Sequence, residues 1–190
     1  GPTVEEPLRL AAEFARETGA VPVHPFDHRD IVTGQGTLGL ELFDECPELD
    51  TVVLGIGGGG LIAGVAGAIK ARAAAVGRTV RVIGVQAENS AAYPASLAAG
   101  TPTTVTTRPT IADGIAVARP GDIPFEMIRD LVDEVVTVSE DDIARALLVL
   151  MERAKLVVEP AGAVGVAAIL AGKVKASGTT IAVISGGNID

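Results

Sequence analysis

Four consecutive glycines, Gly57-Gly58-Gly59-Gly60, stand between a β-branched apolar run (Thr51-Val52-Val53-Leu54-Gly55-Ile56) and an alanine-rich segment from Leu61 to Ala75. Residues without side chains leave backbone amides open to a ligand. Where a helix starts behind them, its unpaired N–H groups and its macrodipole favour an anion. A strand, then glycines, then a helix is therefore a candidate phosphate grip at the carboxyl end of a strand, where open α/β sheets bind ligands. It is not a P-loop, because no Gly-Lys-Ser/Thr follows and Lys70 comes ten residues after Gly60. Nor does it have the usual form of a dinucleotide fingerprint. Tight helix–sheet packing accounts for single glycines but poorly for four in a row.

A second group, Ser185-Gly186-Gly187-Asn188, follows the apolar run Thr180-Ile181-Ala182-Val183-Ile184. A hydroxyl followed by two glycines at a strand end offers one polar contact with open space beside it. The remaining reactive side chains point to less. Cys46 is the only cysteine, so the chain has no intrachain disulfide and no cysteine-based zinc cage. A single thiol fits a reducing compartment, and Cys46 reads as a small buried or half-buried side chain. His24 and His28 lie four apart, but Pro22 and Pro25 forbid the helix that would make them a metal pair.

The elements that must position these groups alternate. Thr3 to Arg16 reads as an amphipathic helix stopped by Gly19, and Val21-Pro22-Val23 as a short extended piece. A second helix runs from Ile31 or Gly34 to about Phe43. Thr51–Ile56 and Val80–Val85 read as strands buried on both faces, with the Leu61–Ala75 helix between them. The stretch from Ala98 to Thr110 reads as loop, Pro124–Leu131 as helix and Val135–Val138 as strand. Ser139 caps the next helix, in which Ile143, Leu147, Leu150 and Met151 fall at helical spacing. A further helix begins around Glu159, and Thr180–Ile184 is the last strand. Strands separated by helices imply right-handed crossovers and an α/β fold: an open, mostly parallel sheet with helices on both faces.

Composition narrows the classes. The 190 residues include 48% hydrophobic side chains, enough for a real core, so a disordered chain is excluded. The balance of 24 Asp and Glu against 15 Lys and Arg, a net charge of −9, argues against an electrostatically driven nucleic-acid surface. It does not oppose a small anion held by local amides. No basic-then-apolar leader pattern opens the chain. Thr51 to Ile69 lacks charged residues, but its glycines and its strand-then-helix halves argue against a membrane span. The expectation is a cytoplasmic protein with no membrane partner.

Five motifs occur in order: Gly34-Gln35-Gly36-Thr37, Gly57 to Gly60, Ile111-Ala112-Asp113-Gly114, Glu159-Pro160-Ala161-Gly162 and Ser185-Gly186-Gly187-Asn188. Together they resemble the C-terminal part of the threonine/serine dehydratase family, the fold-type II pyridoxal-phosphate enzymes that also include serine racemase. The likeness spans essentially the whole chain, and His24-Pro25-Phe26-Asp27 favours the threonine dehydratases. The resemblance implies pyridoxal 5'-phosphate as cofactor. It implies that Gly57, Gly58, Gly59 and Gly60 grip the cofactor phosphate and that Ser185 bonds the pyridine nitrogen. Phe26 would line the cofactor site, with Gly114 and Glu159 near the ring. Glu88 and Ala92 resemble two positions of the divalent-metal site of serine racemase. The third position is Pro94, which supplies no ligand, so no metal is expected.

The same resemblance marks what is missing. The family's Schiff-base lysine sits in a Ser-x-Lys-x-Arg-Gly-Ala segment, and its substrate carboxylate in a Ser/Ala-Gly-Asn-His loop; neither occurs here. The lysines are Lys70, Lys155, Lys173 and Lys175, and no catalytic residue is expected among them. Residues 1–190 are thus expected to be the C-terminal part of a cofactor-binding catalytic region, mostly the large domain, with the small domain and the lysine segment upstream. The implied parent is a homo-oligomeric threonine ammonia-lyase of amino-acid metabolism. It would convert L-threonine to 2-oxobutanoate and ammonia, or L-serine to pyruvate. Serine racemase, another type II lyase, and a non-catalytic phosphate-binding or assembly module remain the alternatives.

Overall fold

The computed structural model describes residues 5–189. Seven helices and four strands follow one another: α1 (Glu5–Thr18), α2 (Arg29–Glu45), β1 (Leu49–Gly55), α3 (Gly60–Ala75), β2 (Arg81–Ala87), α4 (Ala92–Ala99), α5 (Asp122–Leu131), β3 (Glu134–Val138), α6 (Glu140–Val149), α7 (Pro160–Leu170) and β4 (Thr179–Ala182). The strands pair in the order β3-β2-β1-β4, every pair parallel. This is the open α/β sheet expected from the sequence. Thr3 and Val4 of the first expected helix lie outside the described residues.

Alternation along the strands builds two cores. Val52, Leu54 and Val82 face one side, where they join Ile62, Val65 and Ile69 of α3 and Phe125 and Ile128 of α5. Val53, Ile83 and Val85 face the other, with Ile143 and Ala146 of α6 and Val164, Ala167 and Ala168 of α7. Both faces of β1 and β2 are therefore covered, which is why these strands read as unbroken apolar runs. Against the first face, α2 packs on α3 at close range: a Cβ on Gly39 would lie 2.7 Å from Val65 O. Cys46 is half-buried beside this core.

The chain leaves β1 through α3 to β2 on one side and returns at the end to β4 on the other side of β1. The carboxyl ends of β1 and β4 are therefore neighbours at a point where the winding reverses, the usual position of a ligand crevice. Several boundaries differ from the sequence reading. β2 runs on to Ala87, so Gln86 lies within a buried strand. Ala98 and Ala99, expected in a loop, end α4, because the sharp stop is Gly100 in the left-handed region at φ 71°. Leu150–Ala154 widens into a single π turn that closes at Lys155, φ 60°. β4 ends at Ala182, although Val183 N–H still donates to Val53 O at 2.9 Å.

Ser139 caps α6 as expected. Its hydroxyl accepts the Asp142 N–H at 3.2 Å, and the Asp142 carboxylate accepts the Ser139 N–H at 3.1 Å. The Ser139 hydroxyl and amide hold the Asp142 carboxyl below the usual range. Neither histidine lies in a helix. His24 Nδ1 accepts the amides of Phe26 and Asp27, and His28 Nδ1 accepts that of Asp30 as the cap of α2. Among the described residues no helix is long and apolar enough to cross a membrane, and no group of three or more His, Cys, Asp or Glu could hold a metal ion.

Candidate functional site

The glycine turn leaves β1 while Ile56 N–H still bonds Val85 O at 2.8 Å, and it enters α3 at Gly60. Gly59 sits at φ 102°, in the left-handed region that favours glycine. A Cβ there would run into the Tyr93 hydroxyl and lie 2.8 Å from Pro124 Cβ. A Cβ on Gly58 would strike the Phe26 ring, and one on Gly60 would lie 3.0 Å from Phe26 Cα. Protein thus already occupies the space that side chains on these glycines would need. The first bond of the α3 ladder runs from Ala63 N–H to Gly59 O at 3.0 Å. The N–H groups of Gly60, Leu61 and Ile62 therefore precede the ladder, as the first turn of a helix leaves them.

The turn is strapped from beneath. Gly58 O accepts the Tyr93 hydroxyl at 3.1 Å and the Gly121 N–H at 3.0 Å. Ile56 O accepts Gln86 Nε2 at 3.2 Å, and Gln86 Oε1 accepts the Tyr93 N–H at 2.8 Å. Both side chains are fully buried. Burial, with the Asp27 charge second, pushes the Tyr93 hydroxyl far above its ordinary pKa, so it stays a neutral donor. Phe26 is tied to the same scaffold. The neighbouring Asp27 carboxylate accepts the Asp122 and Ile123 N–H groups at 3.0 and 2.9 Å, capping α5 from a distant part of the chain.

The facing wall is built at the start of α7 and the end of β4. Glu159 precedes α7; its N–H donates to Gly186 O at 3.1 Å and its carboxylate accepts the Asn188 N–H at 3.2 Å. A Cβ on Gly186 would meet that carboxylate, 2.9 Å from Oε2. A Cβ on Gly114 would come 3.0 Å from Ala161 Cβ and 3.6 Å from Glu159 Oε1. Ser185 stands exposed three residues beyond the end of β4.

All eight residues singled out in the sequence, Phe26, Gly57, Gly58, Gly59, Gly60, Gly114, Glu159 and Ser185, line one cleft of about 330 Å³. Pro25, Gln35, Gly55, Leu61, Ile115, Val117 and Ala161 complete its lining. A larger groove of about 530 Å³ between α2, α3 and α5 is apolar and contains none of the eight. Among the described residues no lysine or arginine lines the cleft. Lys70 instead bonds Val80 O at 2.8 Å and Asp133 at 2.6 Å, and Lys155 bonds Glu152 O at 2.7 Å. Any anion held at the glycine turn would be held by amides and the helix N-terminus, a local arrangement indifferent to net charge.

Sequence reasoning gave no role to Gln35, Gln86, Tyr93 or Gly121. For Gln86 a signal existed: a polar residue inside an apolar strand needs buried partners. Gln35 lay within a quoted motif but shows no chemistry until α2 carries it to the cleft. Glu88 is exposed after β2, and Ala92 is buried at the start of α4.

Residues 1–186 match the family described as "Pyridoxal-phosphate dependent enzyme". The L-threonine ammonia-lyase of Thermotoga maritima is 49% identical over the whole of this chain, which spans 46% of that protein. The catabolic L-threonine dehydratase TdcB of Escherichia coli K12 is 42% identical over the whole chain, which spans 57% of it. Among solved structures, a threonine deaminase from T.th. superposes with a TM-score of 0.89 at 37% identity, over 96% of this chain and 62% of that one. The chain thus spans about half the length of the curated relatives it matches.

Proposed function

The chain belongs to the pyridoxal-phosphate dependent enzyme family, and from that membership we propose that it is the C-terminal, cofactor-holding part of a threonine ammonia-lyase. The supporting observation is the side-chain-free, unladdered start of α3 facing Ser185 and Glu159 across one cleft. The donor set fits the cofactor. Gly57 to Gly60 offer amides to a phosphate where a Cβ on three of them would collide with protein. Ser185 offers a neutral hydroxyl to a ring nitrogen, and Phe26 an apolar edge.

When bound, pyridoxal phosphate supplies an electron sink for charge developing at the α-carbon of an amino acid. The residues of this chain orient and desolvate. The glycine turn would hold the phosphate, and Ser185 would hold the ring nitrogen by one hydrogen bond. A hydroxyl there leaves the ring less electron-withdrawing than a carboxylate partner would, which suits elimination of a β-hydroxyl. The parent's amine, which would move the α-proton, comes from outside residues 1–190 in this reading, since no lysine lines the cleft. The substrates are L-threonine and, second, L-serine, and the protein works in the cytoplasm as a homo-oligomer.

The test is an assay of the complete protein supplied with pyridoxal phosphate and L-threonine. Release of 2-oxobutanoate and ammonia in equal amounts is expected. Binding of the cofactor without any keto acid from threonine or serine would overturn the reading. A D-amino acid as the main product from L-serine would move the protein to the racemases.

A further inference from the structure

We propose that Tyr93, braced by Gln86, is a positioning residue that fixes the Gly58–Gly59 peptide so that its N–H serves the phosphate end of the cleft. The inference rests on the reading of the glycine turn as a phosphate grip. Neither side chain lines the cleft; both act through the backbone.

The peptide plane supplies the argument. None of the described peptide bonds is cis, so the Gly58 C=O and the Gly59 N–H point in opposite directions from one rigid unit. The Gly58 carbonyl is anchored in the scaffold by the Tyr93 hydroxyl and the Gly121 N–H. The Gly59 N–H is therefore turned away from the scaffold. Four glycines in a row could rotate this peptide freely, and glycine has more conformational freedom to lose than any other residue. Two donors on one carbonyl remove that freedom before any ligand arrives. Pre-organisation of this kind raises affinity by lowering the ordering cost of binding.

Tyr93 is itself held at both ends. Its N–H is bonded by Gln86 Oε1, while the Gln86 amide reaches Ile56 O, one residue before the turn. Its ring stacks on Phe125, with centroids 6.5 Å apart, inside the core under α5. The hydroxyl also occupies the place where a Gly59 side chain would go. The glycine at position 59 and the tyrosine at position 93 are thus matched to each other: a larger residue at the first would displace the second.

The test compares two ligands on the complete protein, stripped of cofactor and titrated with pyridoxal phosphate and with phosphate-free pyridoxal. Tyr93→Phe keeps the ring and removes only the donor, while Gly121 N–H still holds the carbonyl. The expected result is about fivefold weaker binding of pyridoxal phosphate, with pyridoxal affinity and Tm changed little. Tyr93→Met, which fills the space without a donor, should behave alike if the Tyr93→Phe variant proves poorly folded. Equal weakening of both ligands, or no change in their ratio, would overturn the role assigned to Tyr93 while leaving the phosphate grip intact. A wild-type protein that binds pyridoxal phosphate no more tightly than pyridoxal would remove the phosphate grip itself, and the inference with it.

Discussion

The two walls of the cleft are both made of glycine-rich turns at strand ends, yet they are built differently. The wall at β1 is buried at Gly58, Gly59 and Gly60, and its backbone is held by Tyr93, Gly121 and Gln86 from beneath and packed against Phe26. The wall at β4 is largely exposed from Ser185 to Asn188 and is held by one residue, Glu159, through its amide and its carboxylate. The first is fixed by the core, the second by one half-buried residue, through a backbone amide and a rotatable carboxylate. A ligand anchored at the phosphate end would meet a preformed site there and a softer contact at the ring end. The same chemical change should therefore cost far more on one wall than on the other.

Adding one methyl group at Gly59 is the most severe form of that test. Gly59→Ala must adopt φ 102°, which an L side chain tolerates poorly, and its Cβ collides with the Tyr93 hydroxyl, Pro124 and Ile128. The collision partners are core side chains with nowhere to go, so the turn itself must move. A shift of about 1 Å in a positioning element can cost about a hundredfold. Binding of pyridoxal phosphate, measured by titration of the complete protein, should fall by about that factor or more, with a lowered Tm. Binding within a few-fold of wild type would mean that the β1 wall is not preformed.

The unequal construction also explains which parts of the site the order of residues alone displays. The glycine turn and Ser185 were legible because side-chain-free residues beside apolar runs are visible in the order of residues alone. The strap was not. Tyr93 reaches Gly58 across 35 positions, and Gly121 reaches it across 63, through a β1–β2 register and a path of α4 and α5 that no local pattern encodes. α4 escaped notice because Ala92–Ala99 buries Ala92, Tyr93 and Ser96 without an amphipathic repeat. The reading of β2 as ending at Val85 hid Gln86, since a strand buried on both faces shows no apolar–polar alternation to mark its length. Local chemistry was visible in the sequence; long-range support required the fold.

Gly186→Ala makes the corresponding change on the other wall. Its backbone is not in the left-handed region, and the group in the way is the Glu159 carboxylate, the far end of a flexible side chain. That carboxylate can swing out at the cost of the Asn188 N–H bond, about 1 kcal/mol, together with some disorder in the segment. The expected loss of cofactor affinity is about tenfold. Replacing Glu159 as well should add little further loss, because the Asn188 bond is already broken in the single variant. A loss matching that of Gly59→Ala would erase the distinction between the walls.

Ser185→Ala is the mildest change and separates the two ends by ligand rather than by size. The side chain is exposed at the strand end and makes no hydrogen bond to protein among the described residues, so its removal strands no partner and leaves the β4 wall in place. Only a contact to the ligand is lost, worth about 1 kcal/mol or about fivefold in affinity. The ring is common to pyridoxal and its phosphate, so both should weaken by the same factor. Tyr93→Phe should weaken only the phosphate ester. If Ser185→Ala discriminated between the two ligands, the hydroxyl would belong to the phosphate end and the cleft would bind its ligand in the opposite sense. An unchanged affinity for both would take Ser185 out of the site and leave the glycine turn as its only anchored wall.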